Sequence, residues 1–255
     1  MTLEIIQVPC FTDNYAILLH EDTTGETLCV DAPEARPILQ ALAEKGWKLT
    51  TLLITHKHAD HVGGIKQLKE IMGCKTYGPK AEARDIPELD ESLAEGDSIT
   101  FAGHPIEIIE TPGHTSGHIS YHWPEDKLLF AGDTLFVIGS GRLFEGTPAQ
   151  MWQSLNKLMA LPDDTKLYCG HEYTLSNAEF AARLEPGNID LQTRLLDIRG
   201  LRSKNQSTLP STIGMEKRTN PFLRPDSDEI KKKVGMPFGD EVAIFGKIRE
   251  LKNKG

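Results

Sequence analysis

The stretch Thr55-His56-Lys57-His58-Ala59-Asp60-His61 puts three imidazoles and a carboxylate into seven residues, directly after the apolar run Leu52-Leu53-Ile54. Three more candidate ligands stand where an apolar run gives way to a polar turn: His114 in ETPGHTSGH, Asp133 in LLFAGDTLF and His171 in LYCGHEYT. A closed structural zinc site takes four ligands, usually rich in Cys, and would be overfilled by these seven. Two divalent metals sharing a bridge fit the count. Imidazoles and carboxylates accept zinc, iron or manganese and leave positions open for water or substrate. Metals about 3.5–4 Å apart generate hydroxide at neutral pH and polarise a carbonyl, so the expected chemistry is hydrolysis.

A histidine alone would be read as a hydrogen-bonded or surface residue, and His20, His104, His118 and His122 keep that reading. His118, four residues after His114 beside a glycine turn, is also placed to orient a ligand. Asp31, in CVDAPEA after an apolar run, has the same choice between orienting a ligand histidine and shaping a turn. Cys169, two residues before His171, is read as a core thiol.

These residues need elements to carry them. Short apolar, often β-branched runs predict strands at 3–8, 16–20, 27–30, 52–54, 106–110, 119–123, 127–130 and 166–169. Helical spacing is clearest at 36–45, stopped by Gly46, at 64–72 and at 148–160. Each candidate ligand follows a predicted strand, so loops at one end of the sheets can bring them together. From about Thr174 the strands vanish, and helices are expected at 177–184, 189–203 and 241–252 around the Pro-punctuated LPSTIGMEKRTNPFLRP. That shift divides the chain into 1–173 and 174–255. No internal repeat or low-complexity segment is present.

At 255 residues and 39% hydrophobic content, the chain can furnish a sizeable core. A formal charge of −9 argues against an extended nucleic-acid surface. Residues 1–10 have no basic leader pattern, and no apolar run approaches the roughly 18 residues of a membrane span. The four widely spaced cysteines read as buried reduced thiols, so a cytoplasmic setting is expected, with a monomer as the default state. A local basic patch stands at the end, where Lys247, Arg249, Lys252 and Lys254 face only Glu250 and Lys231, Lys232 and Lys233 precede it; such a run by itself reads as a solvated helix face.

The HxHxDH motif, followed by GH, an Asp after a strand and a last His, resembles the metallo-β-lactamase superfamily. The resemblance implies an α+β fold, a four-layer αββα sandwich, here with a C-terminal helical domain. It also implies that His56, His58 and His114 hold one metal, that Asp60, His61 and His171 hold the other, and that Asp133 bridges them. The superfamily spans lactamases, ribonucleases, a persulfide dioxygenase that uses one iron, and thioesterases, so this motif leaves the substrate open. Further stretches narrow it: FTDNYAILL, GDTLFVIGSGRLFEGT, YCGHEYTLSNAEFA, EPGN and LPSTIGMEKRTNPFLR resemble hydroxyacylglutathione hydrolases, the glyoxalase II family, over essentially the whole chain. That implies hydrolysis of S-D-lactoylglutathione to glutathione and D-lactate, part of methylglyoxal detoxification, with zinc as the expected metal and iron or manganese as alternatives. Asp60 and Asp133 are the implied catalytic carboxylates, orienting the attacking water. The implied glutathione contacts are Arg142, Phe144, Tyr173, Arg249 and Lys252. The chain departs from one family pattern, Lys-x-Tyr, by reading Arg142-Leu143-Phe144, which removes a tyrosine hydroxyl. Arg142 offers several donors in compensation.

Overall fold

The computed structural model describes residues 3–86 and 88–255; Met1 and Thr2, part of the leader reading, lie outside the described residues. The first sheet runs in sequence order: β1 (Leu3–Cys10), β2 (Asn14–Glu21), β3 (Glu26–Val30), β4 (Leu49–Leu53), β5 (Lys75–Pro79) and β6 (Glu91–Leu93). The second is built from β7 (Ser98–Phe101), β8 (His104–Glu110), β9 (Ile119–Trp123), β10 (Leu128–Phe130), β13 (Lys166–Tyr168) and β14 (Ser211–Thr212), in the spatial order β14-β13-β10-β9-β8-β7. A small ribbon, β11 (Leu135–Phe136) and β12 (Gly139–Ser140), lies between β10 and β13 in the chain.

All eight residues of β2 are buried, which requires cover on both faces of the first sheet. Alternation explains how. Ala16 and Leu18 pack with Ile38 and Leu42 of helix α1 (Ala35–Lys45). Ile17 and Leu19 point the other way, onto Ile106, Ile108, Tyr121 and Phe130 of the second sheet. The outer face of the second sheet, through Leu129 and Leu167, packs on Met151, Leu155 and Leu158 of helix α4 (Pro148–Met159) and on Phe222, Phe245 and Ile248 near the C-terminus. The layers are therefore helix, sheet, sheet, helix, as expected. Helix α1 does stop at Gly46, whose φ of 69° is the left-handed conformation that glycine adopts without cost. Helix α4 begins with a capping box between Thr147 and Gln150 and with Pro148 in its first turn.

Two short helices lie before α4: α2 (Ala59–Val62) and α3 (Ile65–Met72). The C-terminal part holds α5 (Thr174–Leu184), α6 (Ile189–Arg202), α7 (Ile213–Thr219), α8 (Asp228–Lys233) and α9 (Glu241–Lys254). The expectation that strands vanish after 174 is corrected by β14, which pairs antiparallel with β13 through Lys166–Thr212 and Leu167–Ser211. A two-residue strand carries too little alternation to register in the sequence. Strands β5, β6 and β7 are likewise additional to the expected set. The β5 segment KTYGP contains the Gly and Pro that ordinarily mark turns.

Candidate metal centre

Strand polarity explains why the candidate ligands meet. β3 and β4 run parallel, so Asp31 and the 55–61 loop leave the first sheet at one edge, tied by Asp31 N–H donating to Leu53 O (2.8 Å). β8, β10 and β13 share one direction in the second sheet, because β8 and β10 are each antiparallel to β9 and β13 is parallel to β10. Their C-terminal ends deliver His114, Asp133 and His171 to a common edge.

Within 55–61 the backbone changes type halfway. His58 is extended (φ −61°, ψ 143°) and stands at the N-cap of α2. His56 and His58, two apart on extended chain, point to the same side, whereas Asp60 and His61 sit on a helical turn that swings them elsewhere. His56 Nε2 and His114 Nε2 each lie 3.0 Å from His58 Nδ1. In the other group, His61 Nε2 is 3.3 Å from His171 Nε2 and 3.8 Å from Asp60 Oδ2, and His171 Nε2 is 3.5 Å from Asp60 Oδ2. Asp133 lies between the groups: Oδ2 is 3.4 Å from His114 Nε2 and 3.2 Å from His171 Nε2, while Oδ1 is 3.5 Å from His61 Nε2. All seven expected residues are thus brought together.

The donor set suits divalent metals. Ligand atoms about 2.0–2.1 Å from one zinc in a tetrahedron stand about 3.3 Å from each other, close to the separations seen here. Asp133 Oδ1 is buried without a hydrogen-bond partner, the kind of orphaned acceptor that a cation satisfies. Room for Asp133 and His61 depends on Gly170, where an added Cβ would lie 2.6 Å from Asp133 Oδ1 and 2.7 Å from His61 Cε1.

The nitrogens facing away from the centre are held as well. Asp31 Oδ2 takes His61 Nδ1 at 2.8 Å, and its carboxylate also accepts from the Thr55 N–H and hydroxyl. His114 Nδ1 donates to Arg142 O (2.9 Å), and His171 Nδ1 pairs with Asp13 Oδ1 (3.0 Å). His118 accepts from Asp133 N–H through Nε2 (3.1 Å), so it braces the carboxylate between the two groups. His20, His104 and His122 lie elsewhere, paired with Thr27, Asp126 and Glu107. Cys169 is buried, and burial pushes its thiol up to about 12, as befits a core residue. Asn14 was not singled out by sequence: its Nδ2 donates to Asp60 Oδ2 and Asp60 O at 3.1 Å. Asp13 ends the turn between two apolar strands and Asn14 opens β2, where polar residues ordinarily signal only a turn.

The electrostatics favour metal binding. Burial holds His56 well below the ordinary imidazole range and lowers His114, keeping both neutral with a lone pair to give. Burial also opposes charge on His61 and His171, but the neighbouring carboxylates together outweigh it, Asp133 with Asp31 raising His61 and Asp133 with Asp13 raising His171. Asp133 in turn is held well below its usual range, because His61 and His171 outweigh its own burial. A divalent cation here would displace the protons that otherwise balance this carboxylate.

The centre opens into a cavity of about 830 Å³ that also meets Phe136, Ser140, Arg142, Phe144, Tyr173, Arg249 and Lys252. Tyr173 stacks on His171, centroids 4.7 Å apart and 6° from parallel. The exposed Phe144 ring stands edge-on to His58 and His114, at 5.6 and 5.2 Å. Arg249 is only 6% exposed; Nη1 donates to Ser140 O (2.6 Å) and the guanidinium lies 4.9 Å from the Phe222 ring centre. Lys252 Nζ donates to Ser176 O (2.9 Å). Among the described residues, no carboxylate lies within ion-pair distance of Arg142, Arg249 or Lys252. Burial, then Arg142, brings Arg249 down to about 10; burial, then Arg249, brings Lys252 down to about 8.

The family model for the metallo-beta-lactamase superfamily matches residues 18–171, and that for the hydroxyacylglutathione hydrolase C-terminus matches residues 172–255. A hydroxyacylglutathione hydrolase from Rhizobium meliloti (strain 1021) is 54% identical over 251 residues, covering 98% of each chain. One from Rhodopseudomonas palustris (strain ATCC BAA-98 / CGA009) is 49% identical over 255 residues, all of both chains. Among solved structures, the BLEG-1 B3 metallo-beta-lactamase superposes with a TM-score of 0.67 at 23% identity, covering 87% of this chain and 100% of its own, a likeness of fold. The superfamily match and the His/Asp cluster together support a dinuclear metal site.

Proposed function

The chain belongs to the hydroxyacylglutathione hydrolase family of the metallo-β-lactamase superfamily, and on that premise we propose that it cleaves S-(2-hydroxyacyl)glutathione, chiefly S-D-lactoylglutathione, to glutathione and D-lactate. The observation that carries this beyond the family name is the trio Arg142, Arg249 and Lys252, cations without carboxylate partners among the described residues, facing the cavity that holds the His/Asp cluster. Glutathione brings two carboxylates, and such pairs form the stronger kind of hydrogen bond.

On this reading His56, His58 and His114 would hold one ion and Asp60, His61 and His171 the other, with Asp133 within reach of both; zinc is the metal we assign, with iron or manganese as alternatives. Two divalent ions held there would supply activated water and polarisation of a thioester carbonyl. The chain's own residues do the rest. Arg142, Arg249 and Lys252 take the substrate carboxylates, while Tyr173 and Phe144 wall the thioester against the imidazoles. Asn14 fixes the Asp60 carboxylate, which helps to orient the water. Phe144 offers no hydroxyl, so polar recognition in its loop falls to Arg142. No general acid is required, since a thiol leaving group with a pKa of about 8.5 departs as thiolate at neutral pH. Residues 1–173 thus carry the metal centre with Arg142, Phe144 and Tyr173, and 174–255 supply Arg249 and Lys252, two of the three cations of the glutathione grip. No helix among the described residues is long and apolar enough to cross a membrane, and the four free, buried cysteines suit a reducing cytoplasm. A monomer suffices for this site, since every residue invoked is in one chain.

The test is loss of thioester absorbance from S-D-lactoylglutathione, compared with a simple non-glutathione thioester, on protein of measured metal content. Preference for the glutathione substrate with two metals per chain is expected. Equal turnover of both substrates, or one iron per chain with oxygen uptake, would refute the reading. Asp133→Ala should lower metal content and cut kcat by more than about 100-fold, the upper end for residues that merely support a ligand.

A further inference from the structure

Lys57 stands between two of the histidines at the centre, yet its side chain turns away from them, as odd and even positions on extended chain must. Its Nζ lies 2.9 Å from Glu145 Oε1 and 3.7 Å from Asp85 Oδ2, and its N–H donates to Glu82 Oε2 (2.7 Å). The other oxygen of Glu145 accepts from Ser116 N–H at 2.8 Å, two residues beyond His114. One carboxylate therefore grips both loops that carry the His56, His58 and His114 group.

Glu145 also belongs to the segment that carries Arg142 and Phe144. That segment is fastened at its start by His114 Nδ1 donating to Arg142 O (2.9 Å), and beyond Glu145 by Gly146 N–H donating to Gly113 O (3.1 Å). Between these points Phe144 is 63% exposed and packs edge-on to His58 and His114. The grip of Glu145 is what fixes the Phe144 side of the segment against the 55–61 loop.

We propose that Lys57 and Glu145 are a positioning pair that locks the Arg142–Phe144 segment over the metal centre and so sets the affinity for the glutathione half of the substrate. The proposal rests on the glutathione thioesterase reading above. Lys57, then the Ser116 N–H, holds the Glu145 carboxyl down at about 2, so the carboxylate is charged throughout the working range. The side chains are 25% and 32% exposed, and ion pairs so open to water contribute little to folding. The consequence of breaking this one therefore lies in binding.

The experiment compares Glu145→Gln, Lys57→Met and the double variant, each with measured metal content. It follows KM and kcat on S-D-lactoylglutathione, calorimetric affinity for glutathione itself, and turnover of a non-glutathione thioester as reference. Each single change should raise KM and weaken glutathione binding about fivefold, equivalent to about 1 kcal/mol at 1.4 kcal/mol per factor of ten. The double variant should be no worse than either single one, with two metals per chain and kcat retained. Unchanged KM and glutathione affinity would overturn the proposal, as would losses that add independently in the double variant. Loss of metal together with parallel loss on both thioesters would overturn it too, by showing support of the metal loops alone. Where one single variant fails to fold, the other decides on KM and glutathione affinity. Failure of the unaltered enzyme to prefer the glutathione thioester would instead strike the underlying functional reading.

Discussion

Replacing Arg249 by Met weighs more on binding than on folding, because the terms that fix this side chain partly cancel. Burial, reinforced by Arg142, brings the guanidinium from its ordinary value down to about 10. That corresponds to about 3 kcal/mol held against the charged form in the folded protein, a penalty the substitution removes. Below pH 10 both folded and unfolded chains keep the proton, so this penalty stands in full at neutral pH. Against it, the substitution forfeits the 2.6 Å hydrogen bond to Ser140 O, worth about 1.5–3 kcal/mol for a charged donor. It also forfeits the guanidinium contact with Phe222, worth about 1–2 kcal/mol when desolvated, and the 3.1 Å bond from Nε to Asn253 Oδ1, worth about 0.5–1.5 kcal/mol because that acceptor is exposed to water. The balance runs from about zero to about 3.5 kcal/mol of destabilisation, so the melting temperature should fall by less than about 10 °C. Binding has no such compensation. Loss of one charge-assisted contact to a glutathione carboxylate, about 1.5–3 kcal/mol, predicts a 10- to 100-fold rise in KM. Steady-state kinetics and thermal melts on the same metal-replete preparations check both halves. A KM within twofold of the unaltered enzyme would refute the carboxylate role. A melting temperature lowered by more than about 10 °C would refute the assigned balance.

Two other outcomes follow from the geometry. Gly170→Ala places a Cβ 2.6 Å from Asp133 Oδ1 and 2.7 Å from His61 Cε1; overpacking of this kind costs about 1–3 kcal/mol and displaces both side chains. Metal content and kcat should fall together, and a Gly170→Ala variant with two metals and full rate would contradict the spacing described for this edge. For Lys252, burial and then Arg249 lower the amine to about 8, so its charge is lost as pH rises through 8 and KM for the anionic substrate should climb between pH 7 and 9. Stability should rise over the interval from 8 to the ordinary lysine value, because there the unfolded chain holds a proton the folded chain has released. Lys252→Met should flatten both profiles, as read by KM and by denaturation against pH.

The metal residues were legible in the sequence because strand-end loops bearing His and Asp at such density have few other physical uses. The strands of both sheets were legible where an apolar, often β-branched run stands out from polar turns, as in β2 and β8. What escaped shares a different property: its meaning lies in a partner far along the chain. Asp13 and Asn14 look like turn formers until His171 and Asp60 arrive beside them, 158 and 46 positions later. Glu82 and Glu145 look like surface carboxylates in polar loops. Arg249 belongs to a basic tail that reads as a solvated helix face, and its burial comes from Phe222 and Ser140, which no local pattern announces.

The same long-range dependence bears on the division at residue 174. The ribbon that follows Asp133 is shaped largely by residues from the C-terminal part. Asn177 donates to Val137 O (3.2 Å), and Asn220 donates to Phe136 O and Gly139 O (3.3 and 3.0 Å). The fully buried Glu216 accepts from Ile138 N–H at 2.7 Å while ion-paired with Arg194. Arg249 completes the series on Ser140 O. These bonds satisfy buried backbone groups that would otherwise stand orphaned, so they are a condition of the ribbon's conformation. Gly141, at the ribbon's end, approaches so closely that an added Cβ would lie 1.9 Å from Asp133 O, which ties the ribbon's path to the carboxylate between the two metal groups. The residues proposed to recognise glutathione and those that shape the backbone beside Asp133 therefore share one hydrogen-bonded unit, and a change in one cannot be assumed silent in the other.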